Sequence, residues 1–318
     1  MAESDKNEIY LSSSPHFTFG RTTENLMLTV LIALLPLCIY GVILYGIKAV
    51  ITILVSVVSA VFFEALFQKL TKQEITIKNY SAAVTGVLLA LVLPPTTPVW
   101  QTILGSLVAI VVAKGLFGGL GANVYNPALT GRAFMFVSFS AAMGASWLDP
   151  TTDAISSATV LSKIKAGEFI ADSTDYLTYF LGNRAGCIGE SSALLIILAF
   201  IYLLVTQVID WRAPLGMVGT VALTTLISGG DPVMALLSGG LLFGATFMVT
   251  DYATTPVTKC GRFVFGVGCG LITFLIRKFG GYPEGVMFSI LIMNSLTAFL
   301  NNLTGRKYGY SNKKAEAK

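Results

Sequence analysis

Four polar stretches of this chain carry residue types that can do chemistry. The first is Asp153-Ala154-Ile155-Ser156-Ser157-Ala158-Thr159. A threonine hydroxyl is a poor nucleophile without an activating base. It is, however, a suitable acceptor for a phosphate ester made by another enzyme. Ala158 leaves room for such an enzyme, and Asp153 is placed to help hold a metal ion or the hydroxyl in its active site. The same spacing also suits a helix N-cap, with Ser156 or Ser157 opening a short helix through Val160-Leu161-Ser162-Lys163.

The second stretch runs from Lys114 to Phe134. Gly115, Gly118, Gly119 and Gly121 let backbone approach a flat or bulky ligand. Asn123 and Asn126 each offer donor and acceptor groups, suited to the mixed edge of an isoalloxazine ring. Pro127 fits the first turn of a helix that Asn126 caps and that carries Arg132. A tight inter-helix turn with capping asparagines accounts for the same residues. The third stretch, Gly182 to Ala193, contains Glu190-Ser191-Ser192, which reads either as helix N-terminal amides offered to a phosphate or ring oxygen or as a simple cap. The fourth, Phe243 to Pro256, places Asp251 among threonines at the end of an apolar run. It is suited to contact a ring or an ion there, or to cap a turn.

The elements that position these stretches are apolar. Of 318 residues, 54% are hydrophobic and 12% charged, about half the charge of a soluble domain. Ten segments read as membrane spans: 25–47, 49–68, 80–95, 100–117, 128–146, 191–209, 214–229, 232–250, 261–277 and 283–302. Gly and Pro break several, which a bilayer tolerates only where the backbone is buried in protein or lines a cavity. The predicted fold is all-α and polytopic. A cytoplasmic segment, 1–24, leads into a first five-helix half, 25–146. An extracytoplasmic loop, 147–190, separates it from a second half, 191–302, and a basic tail, 303–318. Residues 1–24 hold Glu3, Asp5, Lys6, Glu8 and Glu24 and no apolar core, so no cleavable leader is expected.

With the N-terminus inside, 15 of the 21 Lys and Arg residues, Lys114 and Arg132 among them, fall on the cytoplasmic side. The positive-inside rule selects this orientation, with both termini cytoplasmic and Thr159 outside. An odd number of spans per half gives the halves opposite topology, as in inverted repeats. The net charge of +4 is ordinary for basic cytoplasmic loops and gives no support to nucleic-acid binding. Cys38, Cys187, Cys260 and Cys269 form no metal-ligand spacing, no metal site is expected, and the lone His16 reads as a surface or headgroup residue. A carrier or channel without redox chemistry is the competing class.

Taken in order, Tyr80 to Pro95, the Phe-Gly-Gly-x-Gly-x-Asn-x-x-Asn-Pro-Ala run, Ser-x-Ala-Thr, Ile-Gly-Glu-Ser-Ser and Thr-Asp-x-x-Thr-x-Pro form a specific series. Over about residues 14–305 the chain resembles the D-type membrane subunits of the Rnf ion-translocating electron-transport complexes. It is similar, more distantly, to the B-type membrane subunits of the sodium-pumping NADH:quinone reductases. The resemblance implies a covalent FMN, phosphoester-linked to Thr159 by a flavin transferase. Here Ser157 stands where the family more usually has glycine. It also implies a non-covalent riboflavin near Asn123 and Asn126. Electrons would pass from reduced ferredoxin to NAD through an extracytoplasmic FMN subunit and a cytoplasmic NAD-reducing subunit, coupled to Na⁺ or H⁺ export across a prokaryotic plasma membrane.

Overall fold

A chain that enters a bilayer has to satisfy its backbone hydrogen bonds within itself, and helices do this in every one of the ten apolar segments. The computed structural model describes residues 22–144, 147–148, 155–156, 160–166, 173–182 and 185–305. The first half comprises α1 (Thr23–Tyr45), α2 (Ile47–Leu70), α3 (Ser81–Leu91), α4 (Val99–Leu107, continued as a π-helix over Val108–Gly115), α5 (Pro127–Ser138) and α6 (Ser140–Gly144). The central loop holds α7 (Val160–Ala166) and α8 (Ser173–Leu181). The second half comprises α9 (Ala193–Val205), α10 (Arg212–Ile227), α11 (Pro232–Leu237), α12 (Leu241–Phe243, continued as a π-helix over Gly244–Met248), α13 (Lys259–Phe279), α14 (Val286–Ser295) and α15 (Thr297–Thr304). Among the described residues, the fold departs from all-α in the central loop, where Trp147–Leu148 pairs antiparallel with Ile155–Ser156.

Several of the expected spans are shorter or more broken than their apolar runs. α1, α2 and α13 are long and apolar enough to cross a membrane; α14 and α15 together make a fourth such unit, bent by 56°. α3 stops at Leu91, ahead of Pro94 and Pro95, which cannot continue the hydrogen-bond ladder. The run over 232–250 breaks at Ser238-Gly239-Gly240, where Gly239 takes φ +67°. That break is closed by charge. Arg277 donates to the Ala235 and Ser238 carbonyls at 2.7 and 3.2 Å, at the negative end of α11. The Gly240 N–H, at the positive end of α12, donates to Glu284 Oε1 at 2.5 Å. Each charge complements the dipole end it faces.

Close helix contacts rest on glycine. A Cβ at Gly266 of α13 would stand 2.1 Å from the Ala213 carbonyl oxygen of α10, and one at Gly270 2.6 Å from that of Met217. The α2–α3 contact has the same character, since a Cβ at Gly86 would meet the Ser56 carbonyl at 2.9 Å.

Candidate functional site: two cavities strung along one helix

α5 carries its first residues into one cavity and its middle into another. Asn126, Pro127 and Ala128 line the first, of about 600 Å³. Arg132 and Phe136 line the second, of about 430 Å³. At 1.5 Å per residue, Asn126 and Phe136 are separated by about 15 Å along the axis.

The first cavity gathers Asn123, Asn126 and Asp251 with Lys114, Ser81, Thr85 and Thr246. Both π-helices reach it: Lys114 comes from that of α4, Thr246 and Phe247 from that of α12. Such windings are frequent at functional sites. Asn126 caps α5, its Oδ1 accepting from the Leu129 N–H at 3.2 Å, while its Nδ2 donates to Asp251 Oδ2 at 3.5 Å. The Asn126 N–H donates to the side-chain oxygen of Asn294 at 3.1 Å, with that amide turned so that its nitrogen donates to the Ile290 carbonyl. Asn123 Nδ2 donates to the Tyr125 carbonyl at 3.1 Å. Burial pushes the Asp251 carboxyl up from its ordinary range, against the Ala253 N–H and the Thr254 hydroxyl, which favour the charged form. Gly121, at φ +88°, faces open space where a side chain would stand.

Behind this cavity lies a buried ion pair. Lys114 Nζ donates to Glu64 Oε1 and Oε2 at 2.9 and 3.0 Å and to Ser81 Oγ at 2.7 Å. Gln68 extends the cluster, donating to Glu64 at 3.5 Å and to Thr76 at 2.8 Å.

The second cavity is built on Arg132. Its guanidinium lies 3.5 Å from Glu190 Oε1, 3.3 Å from Glu284 Oε2 and 3.5 Å from Cys187 Sγ. Phe136, Trp147, Tyr179, Tyr282 and Phe288 give the walls an aromatic character, and Leu161 of α7 reaches them from the central loop. Ser238, at the α11–α12 break, also lines the cavity; its Oγ is buried with no hydrogen-bond partner among the described residues. An aromatic slot with an arginine and an unused hydroxyl suits a flat polar ring, as does the mixed amide, carboxylate and ammonium set of the first cavity. The residues of both cavities fit a flavin.

The structure therefore brings Asn123, Asn126 and Asp251 together, and separately Arg132 with Glu190. Asp153, Ser157, Ala158 and Thr159 lie outside the described residues, as does His16; Ser156 lies in the second short strand. The helix expected after that run as the alternative reading is present as α7. Ser192 caps α9, accepting from the Leu195 N–H at 3.4 Å, so the cap reading holds for Ser192 while Glu190 pairs with Arg132. Counting charges puts Lys114 and Arg132 among the cytoplasmic cations. In the structure each faces a carboxylate from another segment, so neither is a solvated loop charge. Glu284 and Ser238 are site residues that the motifs do not single out. Lys114 inside one apolar run and Glu64 inside another are a pair of opposite charges that a bilayer makes expensive unless they meet, and that signal is readable in the sequence.

Helices of this apolarity, with their charges paired inside, define a membrane protein. Residues 10–309 match the family described as NQR2, RnfD, RnfE, and the chain belongs to it. It is 43% identical to the D-type subunit of the Na⁺-translocating ferredoxin:NAD⁺ oxidoreductase complex of Acetobacterium woodii, over 98% of this chain and 99% of that one. It is 40% identical to the D-type subunit of the proton-translocating ferredoxin:NAD⁺ oxidoreductase complex of Clostridium ljungdahlii, over 95% and 96%. The D-type subunit of an ion-translocating oxidoreductase complex of Escherichia coli is 34% identical over 94% and 98%.

Proposed function

We propose that the chain is the flavin-bearing membrane subunit of an ion-translocating ferredoxin:NAD oxidoreductase complex. It relays electrons between an FMN esterified to Thr159 and a non-covalent riboflavin, and the complex exports Na⁺ or H⁺. The chain spans a prokaryotic plasma membrane ten times as two inverted five-helix halves, with both termini cytoplasmic. Its neighbours are an extracytoplasmic FMN subunit and a cytoplasmic NAD-reducing subunit, and a flavin transferase modifies it.

The observation that carries the reading is the pair of flavin-sized cavities stacked along α5. When bound, a flavin supplies the electron acceptance and donation; the chain supplies position and charge. Asn123, Asn126 and Asp251 would hold the riboflavin through its mixed donor and acceptor edge. Arg132, carried by Glu190 and Glu284, and the Ser238 hydroxyl would hold the ring tethered at Thr159, only two residues from the cavity-lining Leu161. Electrons would pass between the two cavities, whose lining residues Asn126 and Phe136 are about 15 Å apart along α5.

Flavin analysis of the purified complex tests the assignment of cavities. Asn126→Leu removes the amide that caps α5 and meets Asp251, so extractable riboflavin should fall while the covalent adduct persists. Unchanged riboflavin content would count against the asparagine cavity.

A further inference from the structure

The asparagine cavity is lined by one charged group of each sign. Among the described residues, its charged lining groups are Lys114 and Asp251. Glu64 does not line it; Lys114 stands between Glu64 and the cavity. All three ammonium protons already have acceptors, in the two Glu64 oxygens and Ser81 Oγ. What Lys114 offers the cavity is therefore charge at a fixed position rather than a hydrogen bond. Lys114 and Glu64 are 4% and 8% exposed, so water screens this dipole little. Three anchors on α2 and α3 hold the ammonium, which prevents it from following a ligand's charge by moving.

Resting on the reading that a flavin occupies this cavity, we propose that the Glu64–Lys114 pair is its potential-setting dipole, with Lys114 the positive end that favours the reduced ring. Each electron the ring takes from the flavin at Thr159 and hands to the next carrier adds one negative charge while it resides there. No bond is made or broken in that step. A fixed positive charge near the ring lowers the free energy of that state, and the carboxylate behind it moderates the effect.

The two ends of the dipole must then act with opposite sign. The test is a redox titration of the non-covalent flavin in the purified complex, with the covalent flavin as internal reference and riboflavin content measured by extraction. Lys114→Met should make the ring harder to reduce. Glu64→Gln should make it easier. Each should change the reduction equilibrium about tenfold, about 59 mV for a one-electron couple. The double variant should fall between the singles, and Lys114→Arg should stay near the wild type. A purely structural tie between α2, α3 and α4 would move both singles in the same direction or not at all, and either result with riboflavin retained overturns the proposal. Should Lys114→Met fail to accumulate, Glu64→Gln alone decides, because only the proposed role raises its potential. Wild-type complex without extractable flavin would overturn the underlying reading as well.

Discussion

Glu64 and Lys114 face each other from α2 and α4 at 2.9 Å in a nearly dry setting. Removing one member leaves an uncompensated buried charge, a change that typically costs about 3–5 kcal/mol, whereas replacing both by apolar groups of similar size is often neutral. Lys114→Met is thus expected to lower the thermal midpoint of the purified chain more than Lys114→Met combined with Glu64→Leu. Asp210 behaves differently, because it lies in the turn between α9 and α10. Burial raises its carboxyl, but the Arg212 N–H, the Arg212 guanidinium and that of Arg262 outweigh this and hold it below the ordinary range. Its Oδ2 lies 2.8 Å from Arg212 and 3.0 Å from Arg262, which ties the start of α10 to the start of α13. A carboxyl with a depressed folded-state pKa contributes stability above its unfolded pKa and loses it as pH falls through the folded value. The clamp should therefore hold at neutral pH and weaken only on acidification below the ordinary aspartate range. Asp210→Asn should remove that part of the acid dependence and cost about 0.5–1 kcal/mol at neutral pH, as for other solvent-screened pairs. Thermal unfolding of the two proteins across a pH series measures both.

At the scale of elements, the α10–α13 crossing is the closest helix contact that glycine permits here. A Cβ at Gly266 would lie 2.1 Å from backbone rather than from a side chain that can move. Gly266→Ala should force the helices apart, at about 1–3 kcal/mol, and be read as loss of chain from the purified complex; normal yield and midpoint would contradict this packing. The caps at these elements are legible in the sequence. Asn126-Pro127 opens α5 as its residue types dictate, and Ser192 opens α9. The breaks are harder to read. An apolar run states that a segment avoids water, not that it is straight, so 232–250 reads as one span although Ser238-Gly239-Gly240 divides it. What stabilises that division comes from far along the chain, in Arg277 and Glu284. The partners of Arg132, Glu190 and Glu284, likewise lie far along the chain. Charge counting treats a cation as solvated until the carboxylate facing it is seen. Asn123, Asn126 and Asp251 stand out by residue type, but that they line one cavity, like the aromatic slot around Arg132, depends on segments that no local pattern connects.

At the scale of the whole molecule, the two cavities, the buried charge pairs and the broken helices form one arrangement, in which polar pockets are set at two levels along α5 within an apolar body. The orientation of that body has a direct test in the native cysteines. Cys260, at the start of α13, is the exposed one of the four, whereas Cys187 and Cys269 are buried. A membrane-impermeant maleimide should modify Cys260 in inverted vesicles and spare it in intact cells; modification in intact cells would reverse the topology. The proposed relay depends above all on a covalent flavin, and the intact mass of the denatured, purified chain reports on it alone. The account predicts a single species heavier than the sequence by one FMN less one water, with the increment lost in Thr159→Ala. A wild-type chain at its unmodified mass, or a Thr159→Ala chain that keeps the increment, would contradict it.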